Sequence, residues 1–366
     1  MGERVLVAMS GGVDSSVAAA LLQEQGHSCA GATLKLFRGG EEAPARQRSC
    51  CSLSDVEDAR GVAFRLGMPH YVFDFSRQFE ETVLCRFAQC YLRGETPNPC
   101  IDCNRFVKFS ALLGRARALG YDAIATGHYV RREYDAASGR WRLRKGLDPG
   151  KDQSYVLYAM TQEQLAGTLF PLGALHKAEV RRLARENGFL NAEKRDSQDI
   201  CFVPGGDYGA FLERYTGEAL APGDFVDPEG RLLGRHKGTA RYTLGQRRGL
   251  GLALERPGYV CAINPATRTV TVGEEARLFR RALTASGCNW VSIAPPDAAL
   301  RCRAKIRYSQ QAAAATVERI GATRIRVRFD APQRAITPGQ AVVLYDEDIL
   351  LGGATIEGEE EKGEEG

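Results

Sequence analysis

The sequence predicts an α/β protein in which a parallel-sheet domain is followed by a small connecting domain and a C-terminal β-barrel. Two observations lead to this prediction. In the first third of the chain, apolar runs of strand length alternate with helical patterns, which is typical of a parallel sheet covered on both faces. After the segment CFVPGGDYG the pattern changes to short strands separated by turn residues.

The elements of the first domain follow from the positions of these runs. Strands are predicted at Arg4–Ser10, Cys29–Phe37, His70–Phe75 and Asp122–Tyr129. Helices are predicted between and after them, at Asp14–Gln25, Ser54–Leu66, Arg77–Leu92, Arg105–Leu119 and His176–Asn191. Ligands of such sheets bind at the carboxyl ends of the strands.

The domain boundaries follow from the change of pattern. Short strands begin near Gly223, and Trp290–Ile356 is an all-β unit. We assign residues 1–207 to the catalytic domain, 208–280 to the central domain and 281–356 to the barrel. We expect residues 357–366 to be a disordered acidic tail, because six of the ten are glutamate.

Composition excludes several classes of protein. The 366 residues are 44% hydrophobic and 26% charged, as in a soluble globular protein. No run approaches the roughly 20 apolar residues of a membrane helix. The first residues lead directly into a strand, so we expect no targeting segment and a cytoplasmic location. The tail carries a net charge of −5, which leaves +9 on the preceding residues and fits a polyanionic partner.

The segment SGGVDSS lies between the first strand and the first helix. Its glycines allow backbone N–H groups to point inward, and the helix N-terminus adds a positive dipole end. Three serines supply hydroxyl groups. These features predict a phosphate cradle, although the segment has no lysine and so is not the common P-loop. The alternative is a glycine-rich turn with a capped helix.

The cysteines divide into isolated and clustered ones. Eleven cysteines in a cytosolic chain do not indicate a disulfide framework, and most isolated ones are interpreted as small buried hydrophobic residues. Cys100 and Cys103 precede a helix expected to begin near Asn104, which would lower the thiol pKa. Together with Cys201 they allow four interpretations. They are ligands of zinc, ligands of an iron–sulfur cluster, a pair of thiols that passes sulfur, or buried cysteines without a chemical role. The vicinal Cys50 and Cys51 are interpreted as structural.

An ordered set of motifs gives the chain a specific resemblance. They are AMSGGVDSSVAAALL, GATLKLF, CCSLSDVEDAR, TPNPCIDCNRFVKF, ATGHY, KDQSYVLY, DSQDICFVP, YTLGQRRGLGLAL and KIRYSQ. Together they resemble the tRNA-specific 2-thiouridylases, which belong to the PP-loop ATP pyrophosphatase superfamily.

The resemblance implies an ATP-dependent sulfurtransferase. Such enzymes adenylate the C2 oxygen of the wobble uridine in tRNA(Lys), tRNA(Glu) and tRNA(Gln), and then replace it with sulfur. ATP and Mg²⁺ are implied as cofactors, with a cysteine desulfurase or a sulfur-relay protein as partner. No membrane association is implied.

The same resemblance assigns roles to individual residues. It implies Cys103 as nucleophile and Cys201 as the persulfide carrier. The implied ATP contacts are Ala8, Met9, Ser10, Gly11, Gly12, Val13, Asp14, Ser15, Leu34 and Gly127. The implied contacts to the target base and the tRNA are Asn98, Pro99, Cys100, His128, Lys151, Asp152, Gln153, Arg307, Tyr308 and Gln340. No metal ligand is assigned.

One departure from the family pattern leaves the sulfur step open. Some members have Asp at the position of Cys100, so no general base is assigned here. The set Cys100, Cys103 and Cys201 keeps a [4Fe–4S] cluster as an alternative. Asp102 is interpreted as a helix cap.

The C-terminal unit contains a basic strand pattern. In LRCRAKIRYSQ, Arg301, Arg303, Lys305 and Arg307 alternate with apolar residues, which predicts one cationic strand face. The family contacts at Arg307 and Tyr308 imply that this face binds RNA rather than being only a solvated barrel face. The similar RIRVRF is interpreted as a solvated barrel face. Two rival functions are an ATP pyrophosphatase for amide transfer, which leaves the cysteines unexplained, and a non-catalytic tRNA-binding protein, which leaves the intact loop unexplained.

Overall fold

A parallel five-stranded sheet forms the centre of the first domain in the computed structural model, which describes residues 2–37, 53–194, 196 and 200–358. The strand order is β3-β2-β1-β4-β7, with every neighbouring pair parallel. The strands are β1 (Arg4–Ala8), β2 (Ser28–Lys35), β3 (His70–Asp74), β4 (Ala123–Ala125) and β7 (Thr168–Leu169). The four predicted strands are confirmed, and the two-residue β7 is an addition.

Helices cover both faces of this sheet because successive strand residues point to opposite sides. On one face Val5 and Val7 pack with α1, α2 and α8, which are Val13–Glu24, Leu53–Arg65 and Lys177–Glu186. On the other face Leu6 packs with the segments that follow β3. These are α3 (Ser76–Phe79), α4 (Cys85–Leu92), α5 (Pro99–Asp102) and α6 (Leu112–Ala118), with π-helical segments at Glu80–Leu84 and Cys103–Ala111.

Two helices differ from their predicted bounds by more than one residue. The segment predicted to begin near Asn104 begins at Pro99, because Asn98 accepts the Cys100 N–H at 3.1 Å and Pro99 occupies the first turn. The late helix α8 ends at Glu186 rather than Asn191. A short helix, α7 (Gln162–Ala166), precedes β7.

The central domain is a small mixed sheet of order β10-β11-β8-β9. Its strands are β8 (Gly223–Val226), β9 (Leu232–His236), β10 (Tyr259–Asn264) and β11 (Thr269–Gly273). The buried Phe225, Val260 and Val270 form its core. The helix α9 (Tyr208–Thr216) joins it to the first domain, since Phe211 packs on Phe87 and Phe202.

Six antiparallel strands close into the C-terminal barrel. They are β12 (Phe279–Trp290), β13 (Leu300–Lys305), β14 (Ala313–Arg319), β15 (Ile325–Arg334), β16 (Ala341–Asp346) and β17 (Ile349–Ile356). Pairing of β12 with both β15 and β17 closes the ring. Glu357, the first residue of the predicted tail, pairs with Arg324 at 2.8 Å, and residues 359–366 lie outside the described residues.

A hairpin of the first domain extends the barrel sheet. Its strands β5 (Val130–Asp135) and β6 (Arg140–Lys145) follow β4, and β6 pairs with β17. Asp348 lies at this junction and accepts hydrogen bonds from Arg131 at 2.7 Å and Arg144 at 2.8 Å. The hairpin therefore places the barrel beside the carboxyl ends of the parallel strands.

Among the described residues, no helix is long and apolar enough to cross a membrane.

Candidate active site

The loop after β1 has the geometry of an anion cradle. Gly11 has φ +70°, and a Cβ at this position would lie 2.3 Å from the Asp55 carbonyl oxygen. Gly12 is the N-cap of α1, and it supplies no side chain to the first N–H groups of the helix. A glycine is therefore needed at position 11, and the helix N-terminus is left open to an anionic ligand.

The other residues implied as ATP contacts lie at the same edge of the sheet. Leu34 is buried near the carboxyl end of β2, and Gly127 follows β4. A Cβ at Gly127 would lie 2.8 Å from the Asp14 carbonyl carbon and from the Ser15 nitrogen. Only glycine lets the end of β4 approach the first turn of α1 this closely.

The serines of the loop bond mainly to the loop itself. The Ser15 hydroxyl donates to the Gly12 carbonyl at 3.1 Å and accepts the Ser10 N–H at 3.2 Å. The Ser16 hydroxyl also donates to Gly12, at 3.0 Å. These bonds fix the shape of the loop, whereas Ser10 is exposed.

Two side chains far away in sequence hold the Gly11 carbonyl. Asn191 donates to this oxygen at 3.1 Å and to the Ser16 hydroxyl at 2.9 Å. Lys194 donates to it at 3.2 Å and also binds Asp55 and Asp58 on α2. The segment that leads toward Cys201 is therefore attached to the loop.

A partly buried ion network surrounds Asp14. Lys177 binds both Asp14 oxygens, at 2.7 and 2.8 Å, and Tyr129 donates its hydroxyl to the same carboxylate at 2.7 Å. Lys177 also contacts Asp196 at 2.8 Å. Burial opposes ionisation of Asp196, but hydrogen bonds from Lys151 and Lys177 hold its pKa below the usual value. The sequence analysis identified Asp14 and Lys151 and missed Lys177 and Asp196.

The thiols implied in sulfur transfer differ in burial. Cys100 is exposed in the first turn of α5, whereas Cys103 is buried in the second turn of the continuous helix. The prediction that Cys103 lies at a helix N-terminus is therefore wrong, because the helix begins at Pro99. Cys103 belongs to the apolar core of the first domain, and the half-buried Cys201 packs against that core.

The cysteines give no support to a metal cluster. The described part of the chain contains no group of three or more His, Cys, Asp or Glu side chains placed to hold a metal ion. Cys100, Cys103 and Cys201 thus do not form a cluster site there, and the nine described cysteines form no disulfide with one another. Cys50 and Cys51 lie outside the described residues.

Asp102 is not a helix cap, because Asn98 caps this helix. Its carboxylate accepts a hydrogen bond from Arg86 at 3.3 Å. Burial raises its pKa, and Arg86 and Arg105 oppose that effect. It is a half-buried, ion-paired residue beside Cys103.

His128 is buried and neutral. Its Nδ1 lies 2.7 Å from the Thr126 hydroxyl, and its ring packs on Phe109. Burial, together with the charge of Lys108, holds the pKa of His128 well below its ordinary value. Next in sequence, the Tyr129 N–H donates to the Gln153 amide oxygen at 3.0 Å.

Asp152 shapes the turn that carries Lys151 and Gln153. It accepts the Gly146 and Ser154 N–H groups, both at 3.1 Å, and the Ser154 hydroxyl at 2.9 Å. Lys151 pairs with Asp196 at 2.7 Å. These three residues therefore connect the hairpin and the ion network.

The segment after β13 contributes an exposed tyrosine, Tyr308. As predicted, the buried side chains of β13 and of Ile306 just after it alternate with exposed or half-buried cationic side chains. The strand ends at Lys305, and the alternation does not continue, since Arg307 is half-buried and Tyr308 is exposed. Arg307 donates to the Ala335 carbonyl at 2.8 Å. Burial raises the pKa of Tyr308, and the charges of Asp152 and Cys100 add to this effect. The ring thus lies within electrostatic range of Cys100.

Gln340 connects the barrel to the segment that leads into α5. Its amide donates to the Thr96 carbonyl at 2.7 Å, and the Thr96 N–H donates to Pro338 at 2.8 Å. Asn98 and Pro99 follow two and three residues later. The barrel therefore helps to fix the position of Asn98, Pro99 and Cys100.

Comparison with known proteins decides the family. Three family models match in order: the tRNA methyl transferase HUP domain over residues 3–205, the tRNA methyl transferase PRC-barrel domain over 209–274 and the aminomethyltransferase beta-barrel domain over 280–356. The tRNA-specific 2-thiouridylase MnmA of Symbiobacterium thermophilum is 53% identical over 98% of this chain and 93% of its own. Its counterpart in Moorella thermoacetica is 52% identical over 96% of this chain and 99% of its own. This chain belongs to the tRNA-specific 2-thiouridylase family.

The similarity to solved structures is much lower. The NMN synthetase from Francisella tularensis aligns with 60% of this chain and 79% of its own, at 15% identity and a TM-score of 0.35. That similarity is too low to carry an argument about function.

For this member of the 2-thiouridylase family, the expectation that most isolated cysteines are buried holds for Cys29 and Cys302, whereas Cys85, Cys90, Cys261 and Cys288 are half-buried. Burial raises the thiol pKa of Cys29, Cys90 and Cys302 to about 11 and that of Cys288 to about 12. These thiols stay protonated at neutral pH, and the two buried ones, Cys29 and Cys302, act as small apolar side chains.

Proposed function

We propose that this protein catalyses ATP-dependent 2-thiolation of the wobble uridine in tRNA(Lys), tRNA(Glu) and tRNA(Gln). The observation that carries the proposal is about 50% identity to 2-thiouridylases over nearly the whole chain. An open cradle at the carboxyl edge of the sheet, with a buried cysteine and an exposed tyrosine on neighbouring elements, is consistent with it.

The first step would be transfer of AMP to the C2 oxygen of uridine. The cradle formed by Ala8–Ser15, with Leu34 and Gly127, would hold ATP so that its β- and γ-phosphates leave as pyrophosphate. Mg²⁺ usually binds through phosphate oxygens and one or two carboxylates, and Asp14 is the carboxylate of the loop. The ion would screen the phosphate charge, and the uridine would gain AMP as a leaving group.

The second step would replace the activated oxygen with sulfur. In one route a persulfide on Cys201 attacks C2, AMP leaves with the oxygen, and Cys103 then attacks the Cys201 sulfur and releases the new sulfur on the base. In the other route Cys103 attacks the Cys201 sulfur first, and the released sulfide attacks C2 and displaces AMP with the oxygen. In both routes Cys103 and Cys201 end as a disulfide, and two electrons from an external thiol must restore them. We do not propose a [4Fe–4S] cluster, because the described residues do not assemble one.

The tRNA would bind between the first domain and the barrel. Asn98, Pro99 and Cys100 would border the target base, and Tyr308 offers an exposed ring for stacking. Six further residues would surround the target base, and the buried ones among them would fix the positions of the backbone. They are Lys151, Asp152, Gln153, Arg307, His128 and Gln340. The sulfur would come from a cysteine desulfurase or a sulfur-relay protein of the cytoplasm.

A thiolation assay tests the proposal. The protein is incubated with unmodified tRNA(Glu), ATP, Mg²⁺ and a cysteine desulfurase with cysteine, and nucleosides are quantified by mass spectrometry. Cys103→Ala and Cys201→Ala should each lower 2-thiouridine by at least about 100-fold, since each removes one member of the thiol pair. Cys302→Ala, a buried barrel thiol, is the control and should retain activity. Undiminished thiolation in either active-site variant would contradict the proposal.

A further inference from the structure

The phosphate loop of this protein lacks a cation of its own. SGGVDSS contains no lysine or arginine, and the Ser15 and Ser16 hydroxyls donate to Gly12 within the loop. Departing pyrophosphate carries several negative charges, which backbone N–H groups alone stabilise less well than a cation does. A cation from elsewhere in the chain is therefore to be expected at this site.

Lys177 reaches the loop from the first residue of α8. Its Nζ lies 2.7 and 2.8 Å from the two oxygens of Asp14, in the first turn of α1. Its side chain is only 11% exposed. Its own N–H donates to Asp148 at 3.0 Å, which fixes where the side chain starts. This is a buried, directed ammonium group beside the cradle.

Asp196, the second partner of Lys177, can lose this ion pair at little cost in free energy. Asp196 contacts Lys177 at 2.8 Å, but it also binds Lys151 at 2.7 Å and Arg181 at 3.2 Å. If Lys177 turned toward a phosphate, Asp196 would keep two cationic partners. A buried carboxylate left without a partner would be costly, and this arrangement avoids that cost.

Asp14 would also remain partnered after such a shift. Tyr129 donates its hydroxyl to Asp14 at 2.7 Å, independently of Lys177. The ammonium group lies 5.8 Å from the centre of the Tyr129 ring, so the ring forms one wall of its pocket. The network thus holds Lys177 beside the loop, where an anion of higher charge can bind its ammonium group.

We infer that Lys177 is the pyrophosphate-binding cation of this enzyme, shared between Asp14 and Asp196 until ATP binds and then contacting the β- and γ-phosphates. The inference rests on the proposed function, because it assumes that the loop binds ATP. It assigns to α8 the role that a lysine within the loop plays in P-loop proteins.

The test measures how strongly the β- and γ-phosphates contribute to binding. Dissociation constants for ATP and AMP, both with Mg²⁺, are determined by calorimetry for the wild type, Lys177→Met and Arg181→Gln. Arg181 lies on the same helix and also contacts Asp196, so its variant controls for a general loss of positive charge. Lys177→Arg tests whether a longer cation restores binding.

We expect Lys177→Met to lower the preference for ATP over AMP by at least about tenfold, which is the usual size of a charged hydrogen bond to phosphate. Arg181→Gln should change that preference less than about threefold. An equal loss for ATP and AMP would mean that Lys177 only supports the loop, and an unchanged preference would also overturn the inference.

Two further outcomes separate the inference from the proposed function. If the wild type binds no ATP, the proposed function fails, whereas ATP binding without an effect of Lys177→Met refutes only the inference. If Lys177→Met does not fold, Lys177→Gln keeps an amide donor for Asp14 without the charge, and the same ratio of ATP to AMP affinity is read from that variant.

Discussion

Gly127 decides at the residue scale whether the cradle can form. A Cβ there would lie 2.8 Å from backbone atoms of Asp14 and Ser15, neither of which is a flexible side-chain end. Gly127→Ala should push the first turn of α1 away and weaken ATP binding at least about tenfold, since the helix N–H groups would be displaced. Calorimetry of ATP binding measures the effect.

The chain supplies a matched control for this substitution. Gly61 lies inside α2, and a Cβ added there would meet no neighbouring atom within 4 Å, so Gly61→Ala should leave ATP binding unchanged. It should also stabilise the helix by roughly 1 kcal/mol. Equal ATP affinity in the two variants would show that the close approach of Gly127 does not matter.

The burial of the thiols predicts which of them react. Burial raises the thiol pKa of Cys29, Cys90 and Cys302 to about 11, so these thiols are almost fully protonated at pH 8. Brief treatment with iodoacetamide should modify the exposed Cys100 and spare these three, as read by peptide mass spectrometry. The control is the same reaction in urea, where every thiol should react. Modification of Cys302 as fast as Cys100 in the folded protein would contradict this account.

At the scale of elements, the hairpin β5–β6 joins the barrel to the first domain through Asp348. Hydrogen bonds from Arg144, together with the charges of Arg144 and Arg131, hold the pKa of this carboxyl below its usual value, although burial opposes them. Asp348→Asn should lower the free energy of unfolding in urea at pH 7 by about 1 kcal/mol, which is a usual value for a partly exposed ion-pair network. Glu229→Gln, on the central domain, is a surface control.

The loss of unfolding free energy in Asp348→Asn should depend on pH in one direction. A carboxyl with a lowered folded-state pKa stabilises the fold above its unfolded pKa of about 4, and this contribution is lost as the pH falls through the folded value. The difference between wild type and Asp348→Asn should therefore persist down to about pH 4 and disappear below it. A difference that vanished already at pH 6 would rule out Asp348 as its source.

The elements differ in how far they could be predicted from the sequence. The strands and the loop were predictable, because glycines, serines and apolar runs stand next to one another in the chain. The start of the helix at Pro99 was also encoded, as an Asn N-cap followed by Pro, and that signal was overlooked. The alternation of side-chain types in β5 and β6 was also present in the sequence, but it was not used to predict this hairpin.

Long-range partners could not be predicted in this way. Lys177, Asn191 and Lys194 reach the loop from more than 160 residues away. Nothing in their local pattern distinguishes them from surface residues of a helix and the turn after it. Only the packing of α8 against α1 brings them to the site, and that packing depends on the whole domain.

At the scale of the whole molecule, the three domains meet around one edge of the parallel sheet. The hairpin attaches the barrel, and Thr96 connects to Gln340 of the barrel and to Thr243 of the central domain, at 2.7 and 3.4 Å. The segment carrying Cys100 and Cys103 is thus held by all three domains. In the proposed function, the tRNA would bind between these domains.

The central claim is that Cys103 and Cys201 act as one sulfur-transferring pair on an ATP-activated uridine. The most direct measurement is non-reducing peptide mass spectrometry after one round of reaction with tRNA(Glu), ATP and the persulfide-loaded protein, without added thiol. The account predicts one Cys103–Cys201 disulfide for each 2-thiouridine formed, and neither product when ATP is omitted. Formation of 2-thiouridine with both thiols still reduced would contradict it.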